Sequence, residues 1–312
     1  MKTLRIASRK SPLALRQAEL VQRRLRAACG LVSRIVPLTS AGDRLRDVPL
    51  HDFGGKGLFV RTIENALLND EADIAVHSLK DMPVQATAGL VYACFLPRHT
   101  AEDVLILRAP QGLPPRLNKA TVAALPPLRI ATGSLRRKFL LQHANPTLTV
   151  EQVRGNVDTR LKALHAGKYD ALVSARAALQ RLQLREEHCH IFDYDWFVPS
   201  CGQGVIAVQI RAGASDWSEA LAKLDCPTTR QCVEIERAIV KALGGNCALP
   251  FGCHARVDGD YIKVNALAMS AKRVARISLM VARHTDPASV AVRAVKKFSQ
   301  TQLAAVLAEL TF

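Results

Sequence analysis

The sequence predicts an α/β protein: two lobes with mixed, doubly wound sheets, then a C-terminal α+β domain with a three-stranded antiparallel sheet. Three observations carry this. Short apolar runs end abruptly in small polar turns, and each turn opens a helical pattern. That β-α-β-α-β order occurs once before Pro97 and again after it. From about Thr228 the rhythm changes to one helix, a hairpin signal and a further strand.

The composition bounds the answer. A chain of 312 residues, 49% apolar and 22% charged, has the length of two or three domains and the balance of an ordinary folded protein. No apolar run approaches the length of a bilayer span, and Arg5, Arg9 and Lys10 interrupt any signal-peptide core, so a cytoplasmic protein is expected. The eight cysteines contain no CxxC pair, and the His188-Cys189-His190 triplet lacks a second ligand cluster, so no metal is expected. A net charge of +16 points to an anionic partner: nucleic acid, a membrane surface or a polycarboxylate. With aromatics at 5% and the arginines dispersed, small anions at defined sites or a merely basic surface fit better than nucleic acid.

In the first half, residues 3–7 read as a strand. Ser11-Pro12 supplies an N-cap and a first-turn proline, and Ala14, Ala18, Val21 and Leu25 share one helix face. A helix start with Arg9 and Ser11 in its turn is suited to anions, although a plain capped helix reads the same way. Residues 33–39 form the next strand. A long glycine-rich connection follows, ending in Gly54-Gly55-Lys56-Gly57, which lacks the first glycine and the Lys-Ser/Thr pair of a nucleotide-binding loop. Residues 62–68 continue as a helix. Ile74, Ala75 and Val76 then suit a strand buried on both faces of a parallel sheet, and the character changes at His77, Ser78, Lys80 and Asp81. Lysine and aspartate side by side at a strand's carboxyl end can hold an anion and handle a proton; a solvated turn with a local ion pair is the alternative.

The second half repeats the pattern. Residues 104–107 are a strand, and a proline-rich link follows. Residues 128–131 lead through Thr132-Gly133-Ser134 into a helix opening with Arg136 and Arg137. Residues 148–153 lead through Arg154-Gly155-Asn156 into a helix over 157–165, then a strand over 170–174 and a helix over 177–184. Basic residues recur at strand ends and helix starts. One is usually a surface residue; several at equivalent points suggest anion-directed helix starts facing a cleft. The VIAVQI strand after Gly202-Gln203-Gly204 returns the chain to the first lobe. In the last part, Thr228 with Gln231 makes a capping box, Gly244-Gly245 stops that helix, 257–261 is a hairpin signal, 277–281 a third strand, and Asp286-Pro287 starts a last helix. The lobes are expected at 1–100 with 200–218 and at 104–196, and the C-terminal domain at 222–312.

The stretches RKSPLAL (9–15), GGKGLF (54–59), DIAVHSLKDMP (73–83), SLRR (134–137), RGNVDTRL (154–161), GQG (202–204) and CALPFG (247–252) closely resemble the porphobilinogen deaminase family, in its order and over nearly the whole chain. The resemblance implies two lobes like those of periplasmic solute-binding proteins. It also implies a transferase of tetrapyrrole (haem) biosynthesis that condenses four porphobilinogen molecules head to tail into hydroxymethylbilane, releasing ammonia. A dipyrromethane cofactor, joined by a thioether to the cysteine matching Cys247, primes the chain.

Each pyrrole carries an acetate and a propionate, and guanidinium forks bind carboxylates bidentately. The resemblance therefore assigns Arg9, Ser11, Arg154, Arg160 and Arg181 to substrate, and Lys80, Ser134, Arg136, Arg137 and Arg160 to the cofactor. Loss of ammonia leaves a cation that Asp81 offsets while accepting pyrrole N–H bonds and moving a proton. By the same resemblance Lys56 falls on the family's mobile loop, a candidate lid. The partners implied are porphobilinogen and the growing polypyrrole, with no nucleic acid or membrane, a monomer, and possible hand-over of product to the next enzyme. The chain departs from the family pattern at Asn246, Arg61-Thr62, Ala101-Glu102-Asp103 and Ser200-Cys201, and none of these removes a catalytic group. A solute-binding protein would share the lobes without needing Cys247, and a nucleic-acid-binding protein would account for the charge; a covalent cofactor mass distinguishes both.

Overall fold

Alternating apolar side chains set the layers of this fold, seen in a computed structural model that describes residues 3–39, 57–214, 216–244 and 250–310. In chain order the first elements are β1 (Leu4–Arg9), α1 (Pro12–Cys29), β2 (Ser33–Leu38), α2 (Gly57–Leu68), β3 (Ile74–Ser78) and β4 (Leu90–Phe95). Next come β5 (Asp103–Leu107), β6 (Arg116–Leu117), α3 (Lys119–Ala123), β7 (Arg129–Thr132), α4 (Leu135–Ala144), β8 (Thr149–Gln152), α5 (Val157–His165), β9 (Ala171–Ala175), α6 (Arg176–Arg181) and β10 (Cys189–Phe192). The last are β11 (Ile206–Arg211), α7 (Ser218–Ala222), α8 (Pro227–Ala242), β12 (Phe251–Asp258), β13 (Tyr261–Met269), β14 (Val274–Ala282), α9 (Pro287–Phe298) and α10 (Leu303–Ala308).

The chain divides into two compact units. The first contains a mixed sheet in the order β2-β1-β3-β11-β4, in which β1 is parallel to β2 and β3, and β11 is antiparallel to β3 and β4. Leu4, Ile6, Ile74 and Val76 face α1 through Ala18, Val21 and Leu25. Ala7 and Ala75, one residue out of phase, pack with Ile63, Ala66 and Leu67 of α2. The period of two thus puts a helix on each face, as the sequence predicts. Each such fully buried Leu or Ile contributes about 1.5–3 kcal/mol relative to exposure.

The second unit contains two sheets. A six-stranded one runs β6-β10-β5-β9-β7-β8, and β12-β13-β14 form an antiparallel sheet of three. Val104, Ile106, Ala131 and Leu172 pack on α5 and α6 through Leu161, Leu164 and Leu179. On the opposite face Leu105, Ile130, Val173, Leu140 and Leu141 form a core that Leu267 and Met269 of β13 join. The expected hairpin turn is present, with Gly259 at φ 59°, and Asp286 caps α9 by accepting from Ser289 N at 2.9 Å.

β3 pairs through Ser78, where His77 and Ser78 find side-chain partners inside the unit. Its sheet is mixed, as the sequence predicts, since β11 runs against it. Within the proline-rich link, β6 and α3 form, with Asn118 accepting from Thr121 N at 2.9 Å as the cap. Among the described residues no helix is long and apolar enough to cross a membrane.

Candidate active site

The ends of β1 and β3 in the first unit, with α1 and α2, line a small open pocket of about 70 Å³. Arg9 closes β1 and Ser11 caps α1; Ser78, Asp81 and Met82 follow β3; Val60 and Ile63 of α2 supply an apolar wall. Local sequence sets this geometry. Ser11 is extended and accepts from Ala14 N at 3.4 Å, and Pro12 takes the first helical position, so α1 starts directly after β1. After β3 a single 3-10 turn, Leu79–Asp81, is pinned by Leu79 and Met82, both buried. That leaves Lys80 and Asp81 half-buried between two anchors.

Two polar residues beneath this pocket extend the expected site. Gln17 lies on the buried face of α1, with Nε2 at 2.8 Å and Oε1 at 3.0 Å from the Ser78 hydroxyl. Its signal is a polar residue at helical spacing within the stripe of Ala14, Ala18 and Val21. His77, 6% exposed, has Nε2 at 3.1 Å from Gln209 Oε1. Gln209 Nε2 donates to Glu64 Oε1 at 3.0 Å, and the Thr87 hydroxyl donates to Glu64 Oε2 at 2.8 Å. Burial pulls the imidazole down to about 4, against Gln209 and the charge of Asp81, which both favour its cation.

The second unit places Arg136 and Arg137 differently from open helix-start arginines. Both are buried on Asp103, which is 1% exposed. Arg136 donates to Asp103 Oδ2 at 2.7 Å, to Val198 O at 2.8 Å and to Ser200 Oγ at 3.2 Å. Arg137 donates to Asp103 Oδ1 through Nη2 at 2.7 Å and Nε at 3.1 Å, and to Val173 O at 3.3 Å. Gln203 adds an N–H to Asp103 Oδ1 at 2.8 Å. Burial alone would raise the Asp103 carboxyl; the two guanidinium charges and their hydrogen bonds hold it well below the usual carboxylate range. Two guanidinium groups around one carboxylate leave a surplus positive charge in a buried cluster.

Ser134 caps α4, accepting from Arg137 N at 3.5 Å. Arg160 donates from Nε to Gly155 O at 2.9 Å, and its guanidinium lies against Gly133. Arg154 is exposed in the turn between β8 and α5, where Gly155 has φ 96°. Arg181 ends α6 and is lowered to about 10 by burial. Lys56 and Cys247 lie outside the described residues.

The first unit therefore brings Arg9, Ser11 and Asp81 to one pocket, with Lys80 in the same turn. The second brings Ser134, Arg136 and Arg137 to one helix start. A carboxylate beside a guanidinium suits a ligand that is both anion and N–H donor, and a buried positive surplus suits a polycarboxylate. The family model described as porphobilinogen deaminase, dipyromethane cofactor binding domain, matches residues 4–219. The one described as porphobilinogen deaminase, C-terminal domain, matches residues 230–300. Curated porphobilinogen deaminases from two strains of Xanthomonas campestris pv. campestris are each 42% identical over 273 residues, 87% of this chain and 87% of theirs. Among solved structures, the chain is similar to substrate binding domain 2 of Lactococcus lactis GlnP in its open conformation, with a TM-score of 0.45 at 10% identity over 72% of this chain and 87% of that one. Since both family models match in order and together span most of the sequence, this chain belongs to the porphobilinogen deaminase family.

Proposed function

We propose the residue roles through which this transferase works. Its reaction joins porphobilinogen molecules head to tail into hydroxymethylbilane, releases ammonia, and is primed by a dipyrromethane cofactor. When bound, the cofactor supplies the pyrrole carbon to which the first substrate is joined. The residues present fit such a group: it brings several carboxylates and pyrrole N–H donors, and the chain offers a buried cationic surplus at Asp103 and a carboxylate pocket at Asp81.

The observation that carries this reading is Asp81 and Arg9 lining one pocket. Asp81 accepts the pyrrole N–H groups of porphobilinogen, offsets the cation left by loss of ammonia, and passes the proton released when the ring regains aromaticity. Arg9 and Ser11 bind substrate carboxylates, as do Arg154, Arg160 and Arg181. Lys80, Ser134 and Arg160 hold cofactor carboxylates. Arg136 and Arg137 join them through the N–H groups that Asp103 leaves over, their joint charge drawing the anion in. Cys247 forms the thioether, and Lys56 belongs to a lid. We also assign three domains, at 1–100 with 200–218, 104–196 and 222–312, a cytoplasmic monomer, and hand-over of the product to the next enzyme.

Steady-state assay of Asp81→Asn tests the pocket. Asparagine keeps the size and an acceptor but neither the charge nor the proton, so turnover falls by at least about 100-fold with an intact fold by circular dichroism. A folded Asp81→Asn protein within tenfold of wild type would move the chemistry elsewhere. Intact mass tests the attachment: Cys247→Ser lacks the pyrrole increment, and recovery of that increment would assign the thioether to another residue.

A further inference from the structure

A second cavity, of about 270 Å³, lies within the second unit and shares no residue with the Asp81 pocket. Arg116 of β6 and Arg256 of β12 line it, with Asn118 at the start of α3 and Asp193, Tyr194 and Asp195 in the turn after β10. Several of these side chains are already held. Arg256 lies over the Tyr194 ring, 5.1 Å from its centroid, and donates from Nη1 to the Tyr194 hydroxyl at 2.7 Å. The Asp195 carboxylate is spent on Asn265 Nδ2 at 2.8 Å, Lys263 Nζ at 3.4 Å and Arg256 Nη1 at 3.7 Å. The remaining capacity defines a ligand. Tyr194 accepts from Arg256 and so keeps its own proton to donate, and Asn118 Oδ1 accepts from Thr121, which leaves the Asn118 NH₂. On the acceptor side Asp193 keeps an oxygen, its Oδ1 taking one bond from Asp195 N at 3.1 Å. The charges leave one positive over: Arg116, Arg256 and Lys263 stand against Asp193 and Asp195, while Glu102, 3.9 Å from Arg116, is shared with Arg176 at 3.4 Å.

We propose that this cavity is a second, non-catalytic site for porphobilinogen. A ligand that satisfies it carries carboxylates for Arg116 and Arg256, an ammonium for Asp193, and one net negative charge. Porphobilinogen has that set: an acetate, a propionate and the aminomethyl group that leaves as ammonia. A plain dicarboxylate would set an anion against Asp193, and a simple amine would meet two guanidinium groups. The volume is just below about 300 Å³, where pockets for drug-sized molecules begin, so it suits one pyrrole unit and not a growing chain. The site contains no catalytic residue, so it is independent of the role given to Asp81.

Trp196 supplies a reporter for the test. Its Nε1 donates to Leu117 O at 3.0 Å, next to Arg116 and Asn118, and the other tryptophan is Trp217 in the first unit. In Trp217→Phe holoenzyme, rapid mixing with porphobilinogen should give a saturable change in Trp196 fluorescence ahead of turnover. Arg116→Leu and Arg256→Leu, each in that background, should weaken this binding by about 10-fold or more, since each removes a charge-assisted pair. Their kcat and KM should stay within about twofold. Arg116 is exposed, so its variant keeps the fold. L-Glutamate, an aminodicarboxylate without the ring, should bind more weakly, and succinate, without the ammonium, more weakly still. Asp193→Asn should abolish the preference for L-glutamate over succinate. L-Glutamate binding more tightly than porphobilinogen would assign the cavity to a free amino acid and overturn the substrate site. Succinate binding as tightly as L-glutamate would overturn the aminodicarboxylate chemistry. The proposal also fails if no saturable change occurs, if the change survives both arginine substitutions, or if turnover is lost in parallel with it.

Discussion

Arg160 lies flat against Gly133: a Cβ at Gly133 would stand 3.2 Å from both Arg160 Nη1 and Nη2, and 2.9 Å from Val153 O. Glycine at this turn is therefore a matter of close approach, not of backbone dihedral. The guanidinium is also held from Nε by Gly155 O at 2.9 Å, so it is oriented by main chain.

Gly133→Ala should accordingly do two things. Overpacking against the Val153 carbonyl lowers stability by about 1–3 kcal/mol. Displacing the Arg160 guanidinium weakens carboxylate binding, so KM rises or cofactor loading falls. Thermal melts and intact mass of the purified variant read both; an unchanged KM with full loading would mean that Arg160 binds no ligand.

Asp103 anchors the other arginines, and its removal is expected to be severe. Asp103→Asn leaves two buried guanidinium groups without their carboxylate, which costs about 3–5 kcal/mol. The pH dependence has a definite sign. The Asp103 carboxyl is depressed in the fold, so its contribution is present above the ordinary aspartate range near about 4 and is lost as pH falls through the folded value. The stability gap between wild type and Asp103→Asn should thus be full at pH 7 and narrow below about pH 4. Chemical denaturation at the two pH values measures it.

How far this was legible in the sequence depends on range. Caps and turns are local, so Ser11-Pro12, Asp286-Pro287 and the Gly259 hairpin can be read directly. The β-α-β-α-β order is also local, and places Arg9, Asp81, Ser134 and Arg160 at strand ends and helix starts. The partners of those residues are not local. Arg136 and Arg137 find Asp103 across 33 and 34 residues, and His77 finds Gln209 across 132, and no periodicity encodes either pairing. Short elements escape for another reason. β6 is two residues within a proline-rich stretch, and β10, beside it, has Cys189, His190 and Ile191 only half-buried, so neither shows an apolar pattern.

The buried His77 gives a second pH signature, independent of activity. Its folded value of about 4 lies below the ordinary 6.5, so the folded state binds fewer protons than the unfolded chain between them. The stabilisation is full above about pH 6.5 and declines as pH falls toward 4. Between pH 7.5 and 5 this amounts to about 2 kcal/mol. His77→Asn should flatten that part of the stability–pH curve; an unaltered slope in the variant would place the titration in another group.

Arg154 separates a binding arginine from a surface one. It is exposed beside Gly155, and substitutions at exposed positions usually change stability by less than about 0.5 kcal/mol. Arg154→Leu should therefore melt close to wild type. If its guanidinium grips a carboxylate of porphobilinogen or the growing chain, the same variant stalls priming or elongation, and intact mass of the enzyme under turnover shows accumulation of a short pyrrole adduct. Arg154→Lys keeps the charge but loses the fork, since an ammonium offers no planar pair of donors, so it restores turnover only in part. The three outcomes read together: unchanged melting, a stalled adduct in the leucine variant and incomplete rescue by lysine identify bidentate binding. Normal turnover in Arg154→Leu would instead make this residue part of the basic surface and leave carboxylate recognition to Arg160 and Arg181.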